Sequence, residues 1–231
     1  MSMEADRDPR SDETREKLLA AGLELFGHHG YDGVTTRMLA RAAGVNQSAI
    51  PYHFGGKEGV YRAVAEHIAG EMAPIVQALE AEVAQRLAQP GTAVAMLLED
   101  VITAFAAAAF TPGHPLTWFL FLAREQFQPS AAFPILYNSF TGPGHQLVAR
   151  LLGRLTGQPP EAEATMLLAH ALIGSLVAFG STRATLQRRL GWQERDYTPA
   201  QRAAMLAAIA THCRATVRGL LPEASLGTDP L

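Results

Sequence analysis

Apolar residues recur at three- and four-residue spacing along most of the chain, the period of helices that bury one face. In the first segment Leu18, Leu19, Gly22, Leu25 and Phe26 share a face. Ser11 or Asp12 is placed to cap it, and Gly27 to Gly30 end it. Thr35 and Thr36 then offer an N-cap for a two-turn stripe of Met38, Leu39, Ala42 and Ala43, which Gly44 stops. Asn46 is the next cap, Gln47 to Phe54 read as a third short helix, and Gly55-Gly56 break it. A longer helix opens at Lys57, with Val60, Tyr61, Val64 and Ile68 on one side. Pro74 either kinks that helix or starts the next one.

Beyond Pro74 the pattern predicts helices at about 74–89, 92–110, 115–127, 131–140, 144–157, 160–190 and 199–221, separated by Pro- and Gly-rich breaks. The triplet Gly142-Pro143-Gly144 reads as a loop. No alternating β-branched run is long enough for a strand, so the fold class is all-α. Pro74 marks the seam between a block at 11–73 and a larger one at 74–221. The ends, 1–10 and 222–231, read as loose.

Composition narrows the function. The 231 residues are 48% hydrophobic and 18% charged, enough for a sizeable core without staples. One cysteine, Cys213, excludes an internal disulfide and a Cys-based zinc site; on an apolar face it reads as buried and inert. The net charge of −3 advertises no polyanion, so any nucleic-acid surface must be local. The run 164–182 is long enough for a bilayer, but His170, Ser175 and Ser181 favour a packed helix. The charged N-terminus has no apolar signal-like stretch, and a cytoplasmic location is the expectation. There is no phosphate-binding Gly-x-x-x-x-Gly-Lys and no Gly-x-Ser-x-Gly, and no two histidines lie three or four apart. Neither an enzyme nor a metal or other cofactor is expected.

Residues 35–54, TTRMLARAAGVNQSAIPYHF, have the grammar of a helix-turn-helix, with Gly44-Val45 as the turn. Between Thr35 and Lys57 the chain carries Arg37, Arg41 and Lys57 and no acid. The third helix leads with Asn46, Gln47 and Ser48, and amide and hydroxyl groups at a helix tip suit base edges in a major groove. Thr36 stands at a helix N-terminus, where phosphate is held. Tyr52, His53 and Lys57 are placed to reach the DNA backbone. The same letters also admit a plain reading, in which Asn46 only caps and Tyr52, His53 and Phe54 only fill the core.

Residues about 12–72 resemble the DNA-binding domain of the TetR family of bacterial regulators, and the stretch from Thr14 to Val64 carries the likeness. The marks are Ala21, Leu25, Phe26, Gly30-Tyr31, Thr35-Thr36, Ala40, Ala43-Gly44-Val45, and the ending Tyr52, His53, Phe54, Lys57, Glu58. The pattern AIPYHFGGKEGVYRAV, with a later HALIGSLVAF and RRLGW, is similar to a CecR-like subgroup. Pro51 departs from the commoner pattern, which has an aromatic residue there, and sits late in the expected recognition helix. The resemblance implies phosphate contacts from Thr36, Tyr52, His53 and Lys57, base contacts from Gln47, Ser48 and Ala49, and either role for Arg37.

It also implies an N-terminal helix-turn-helix domain and a larger C-terminal helical domain for ligand binding and dimerisation. The expected function is a repressor that binds palindromic double-stranded operator DNA as a homodimer and is released by a small, largely apolar effector, with no membrane partner. For the dimer the candidates are Ala171, Ser175 and Ala178 on one helix and Leu206, Ile209, Cys213 and Val217 on another, though such stripes also suit an intrachain core. For an effector pocket they are Phe105, His114, Trp118, Phe121, Arg124, Tyr137 and His170, aromatic groups with polar anchors, where an ordinary core is the plain alternative. The rival from another class is a helical small-molecule-binding enzyme or scaffold without sequence-specific DNA binding.

Overall fold

A computed structural model describes residues 9–111, 116–193 and 197–221. The termini 1–8 and 222–231 and the pocket candidate His114 lie outside them. The described residues form helices and no strand: α1 (Pro9–His29), α2 (Thr36–Ala43), α3 (Ala49–Phe54), α4 (Lys57–Leu87), α5 (Val94–Ala109), α6 (Leu116–Phe127), α7 (Phe133–Leu136), a π-helical turn (Tyr137–Thr141), α8 (Gly142–Thr156), α9 (Glu163–Ser181), α10 (Arg183–Leu190) and α11 (Pro199–Leu220).

They divide into two compact units. The first holds the chain to Glu71 together with 115–137; the second holds Met72–His114 and the chain from Asn138. The stretch 115–137, read from sequence as part of the C-terminal block, thus groups with the N-terminal one. The first unit closes around Leu18, Phe26, Leu39, Ile50, Val64, Ile68 and Phe121, all fully buried. Tyr61 sits between rings, edge-on to Phe26 at 4.9 Å and tilted on Phe121 at 4.7 Å. Gly27 lets α6 approach α1 closely, since a Cβ there would stand 2.7 Å from the Thr117 carbonyl oxygen. In the second unit α5 packs on α8 and α11, and α8 on α9. Leu97, Leu98, Ile102, Leu147, Leu151, Leu152, Leu172 and Ile209 fill its core.

Several elements differ from the sequence reading. Helix α1 starts at Pro9, ahead of the expected caps Ser11 and Asp12. Pro74 lies inside α4 and ends nothing; it removes one backbone donor, and the helix continues on both sides. Gly142-Pro143-Gly144 is the first turn of α8 and not a loop. Pro143 stands where α8 runs directly on from the π-helical turn Tyr137–Thr141, and Gly144 lies against Phe105, where a Cβ would meet the ring at 3.4 Å. The single helix expected at 160–190 is two, divided at Thr182. The Ser181 and Thr182 hydroxyls donate back to the Val177 and Ala178 carbonyls, and such competing bonds loosen the helical ladder.

Candidate nucleic-acid interface

Thr35 caps α2, its hydroxyl accepting from the Met38 N–H at 3.2 Å. Gly44, with φ of 65°, closes α2 in the left-handed conformation, which glycine adopts without a Cβ penalty. Residues 46–48 then form a turn and not the first turn of a helix. The Asn46 side-chain oxygen accepts from the Ser48 N–H and hydroxyl, both at 3.0 Å. The Ala49 and Ile50 N–H groups donate to the Asn46 and Gln47 carbonyls. The expected third helix from Gln47 therefore begins at Ala49. Pro51 is consequently early in it, not late, and its absent N–H falls among those that lack a partner in any first turn.

This turn is presented outward. Asn46, Gln47 and Ser48 are exposed, as are Thr35, Arg37 and Arg41, and Tyr52 is 80% exposed. Thr36, Ala49 and His53 are half-buried. Ile50 is fully buried and anchors α3. The Gln47 Nε2 donates to the Thr36 hydroxyl at 2.9 Å, so α2 and the turn before α3 are joined through two of the expected contact residues. Lys57 is half-buried. Its Nζ donates to the Tyr31 carbonyl at 3.1 Å and stands 4.0 Å from the Tyr31 ring centre, which leaves two N–H donors for an anion.

Two adjacent residues of α6 hold it in the same unit. Arg124, a pocket candidate, instead satisfies the end of α1: Nε donates to Gly27 O at 3.2 Å and Nη2 to His28 O at 2.7 Å. Glu125, missed in the sequence reading, is 1% exposed. Its carboxylate accepts from the Tyr61 hydroxyl at 2.6 Å and from the Ser130 N–H and hydroxyl. Burial, then the Glu125 carboxylate, hold the Tyr61 hydroxyl far above the ordinary tyrosine range, so it remains a donor. The available signal was a lone acid on an apolar helix, four residues after Phe121.

The other pocket candidates divide between the units. In the first, Phe121 is fully buried core, Trp118 is buried edge-on to His67 at 5.6 Å, and Tyr137 is exposed and stacked on Phe133. In the second, Phe105 lies against the core, and exposed His170 stacks on His145 at 5.3 Å. Burial, then His170, hold the His145 imidazole below its ordinary value.

The dimer candidates also separate. Ile209, Cys213 and Val217 are at most 5% exposed and belong to the intrachain core. They do not face a partner, because the apolar stripe of α11 is spent within one chain. Burial pushes the Cys213 thiol up to about 11. Ala171 is exposed, and Ser175, Ala178 and Leu206 are half-buried. Helix α9, the one described helix long and apolar enough to span a membrane, leaves Met166 and Leu167 more than half exposed.

An exposed polar tip on a small three-helix core defines a helix-turn-helix module, and comparison with known proteins agrees. Residues 18–64 match the family described as bacterial regulatory proteins, tetR family. The chain belongs to that family and is a helix-turn-helix transcriptional regulator. Residues 94–220 match the C-terminal domain of the HTH-type transcriptional dual regulator CecR. The chain is 34% identical to the CecR regulator of Shigella flexneri over 190 residues, 81% of this chain and 84% of that one. It is 38% identical over 76 residues to the transcriptional repressor AcnR of Corynebacterium glutamicum, 33% of this chain and 39% of that one. The fold is shared with a fatty acid degradation regulator, FadR, from Bacillus halodurans, with a TM-score of 0.58 and 16% identity over 92% and 98% of the two chains.

Proposed function

We propose that this protein is a ligand-responsive repressor that grips a palindromic operator as a homodimer and is released by a small, largely apolar effector. The observation that carries the reading is the exposed Asn46-Gln47-Ser48 turn, flanked by exposed Arg37, Arg41 and Tyr52. Amide and hydroxyl groups at that tip suit base edges, while Thr36, Tyr52, His53 and Lys57 hold the backbone.

Pairing is supported by α9, whose Met166, Leu167, Ala171 and Val177 stay exposed on a strongly apolar helix. A large exposed apolar face asks to be covered. Two-fold symmetry would set two α3 tips about 34 Å apart, one turn of B-form DNA. Release then requires an effector that prefers a conformer with another spacing. The work is binding and not catalysis, in the cytoplasm.

The test is a footprint on duplexes enriched by the protein from a random-sequence library. A two-fold symmetric protection with steep salt dependence is expected. Failure to enrich any sequence, or protection of one unrepeated half-site, overturns the reading.

A further inference from the structure

Arg15 lies on α1, outside the helix-turn-helix, yet its guanidinium carbon stands 5.3 Å from the ring centre of Phe54, the last residue of α3. The Tyr52, His53 and Phe54 rings follow one another at 4.8 and 6.4 Å. Arg15 therefore stands at the end of a row whose first two members are the proposed backbone contacts. We infer that Arg15 is a further DNA-binding residue, one that grips a phosphate of the duplex at the C-terminal end of α3. The inference rests on the function proposed above.

Three features of the site support it. Arg15 is exposed, and among the described residues its one recorded partner is the Phe54 ring. A cation held over an aromatic face keeps its N–H groups unused, so the whole guanidinium fork is available to phosphate oxygens. The nearby charges are also arranged to spare it. Glu13 is engaged by Lys17 at 2.8 Å. Asp12 lies three residues back on the same side of α1, and Glu16 follows Arg15 in sequence, but neither forms an ion pair with it. Lys57, by contrast, has already committed one donor to the Tyr31 carbonyl. The ring fixes where the fork sits, which reduces the side-chain freedom lost on binding.

The experiment is a salt series of fluorescence-anisotropy titrations of the full chain on a duplex enriched by the wild-type protein. Arg15→Ala is expected to weaken binding roughly tenfold and to make the slope of log K against log salt shallower by about one for each protomer. Arg15→Lys should keep the slope, with a smaller loss of affinity, because the charge remains and the fork is gone. Asp12→Asn should bind equally or more tightly. An Arg15→Ala protein with the wild-type slope overturns the inference, and a lowered unfolding midpoint in that protein would assign Arg15 to packing on Phe54 alone. If the wild type enriches no duplex, the function itself fails, a result distinct from failure at Arg15.

Discussion

The Gln47 side-chain amide donates to the Thr36 hydroxyl across 2.9 Å, so a proposed base reader and a proposed phosphate holder are joined within one chain. The bond uses one of the two amide hydrogens and leaves the Gln47 oxygen open. Gln47→Ala should relax preference at particular base pairs, at a cost of ~1–3 kcal/mol. Thr36→Val should lower affinity and also broaden preference, because Gln47 loses its support. Titrations against a panel of singly substituted duplexes check both; unchanged preference in Gln47→Ala refutes the assignment.

Lys57 belongs to a different class of contact. Lys57→Ala should weaken binding evenly across sequences and reduce the salt slope by about one per protomer. Loss of the bond to Tyr31 and of the contact with its ring should also lower the unfolding midpoint slightly. Affinity and thermal melts, measured on the same preparation, separate the two effects.

Tyr61→Phe removes the shortest of the bonds to a buried carboxylate. With Glu125 left short of a donor, the folded state should lose ~1–3 kcal/mol, measured by urea unfolding. Adding Glu125→Gln should recover part of that loss, because a neutral amide is less costly to bury than an underbonded charge.

His145 makes stability depend on pH. Its imidazole titrates below the ordinary value in the folded chain, through burial and then His170, so the unfolded chain binds the proton first. Stability is therefore present above about pH 6.5 and is lost as pH falls through the lowered folded value. Melting midpoints should drop on acidification below that point, and His145→Gln should flatten this part of the profile.

Leu167 is 62% exposed on α9. If that face is the proposed homodimer contact, Leu167→Glu should give a folded monomer by light scattering, with helical circular dichroism retained and operator affinity strongly reduced. A dimer of unchanged affinity would move the interface elsewhere.

The all-helical class and the helix-turn-helix were legible because periodicity, glycine stops and caps are local properties. Thr35 caps α2 and Gly44 closes it, as their positions in the sequence imply. Elements that depend on distant neighbours are not legible in this way. Proline at 74 and the Gly-Pro-Gly at 142 resemble breaks, yet one is carried inside a 31-residue helix and the other lies where α8 continues directly from a π-helical turn.

By itself, then, the order of residues determined which side chains share a face and where a polar tip meets a turn. It did not determine what covers each face. The stripe of Ile209, Cys213 and Val217 suited a partner helix equally well, and the tertiary structure assigned it to the intrachain core. Arg124 suited a ligand, and packing gave it to the carbonyls ending α1. Glu125 became a buried acceptor because α6 lies beside Tyr61, 64 positions away in sequence. Spacing along a helix is set by bonds within four residues, whereas burial and hydrogen-bond partners are set by segments brought together from far along the chain.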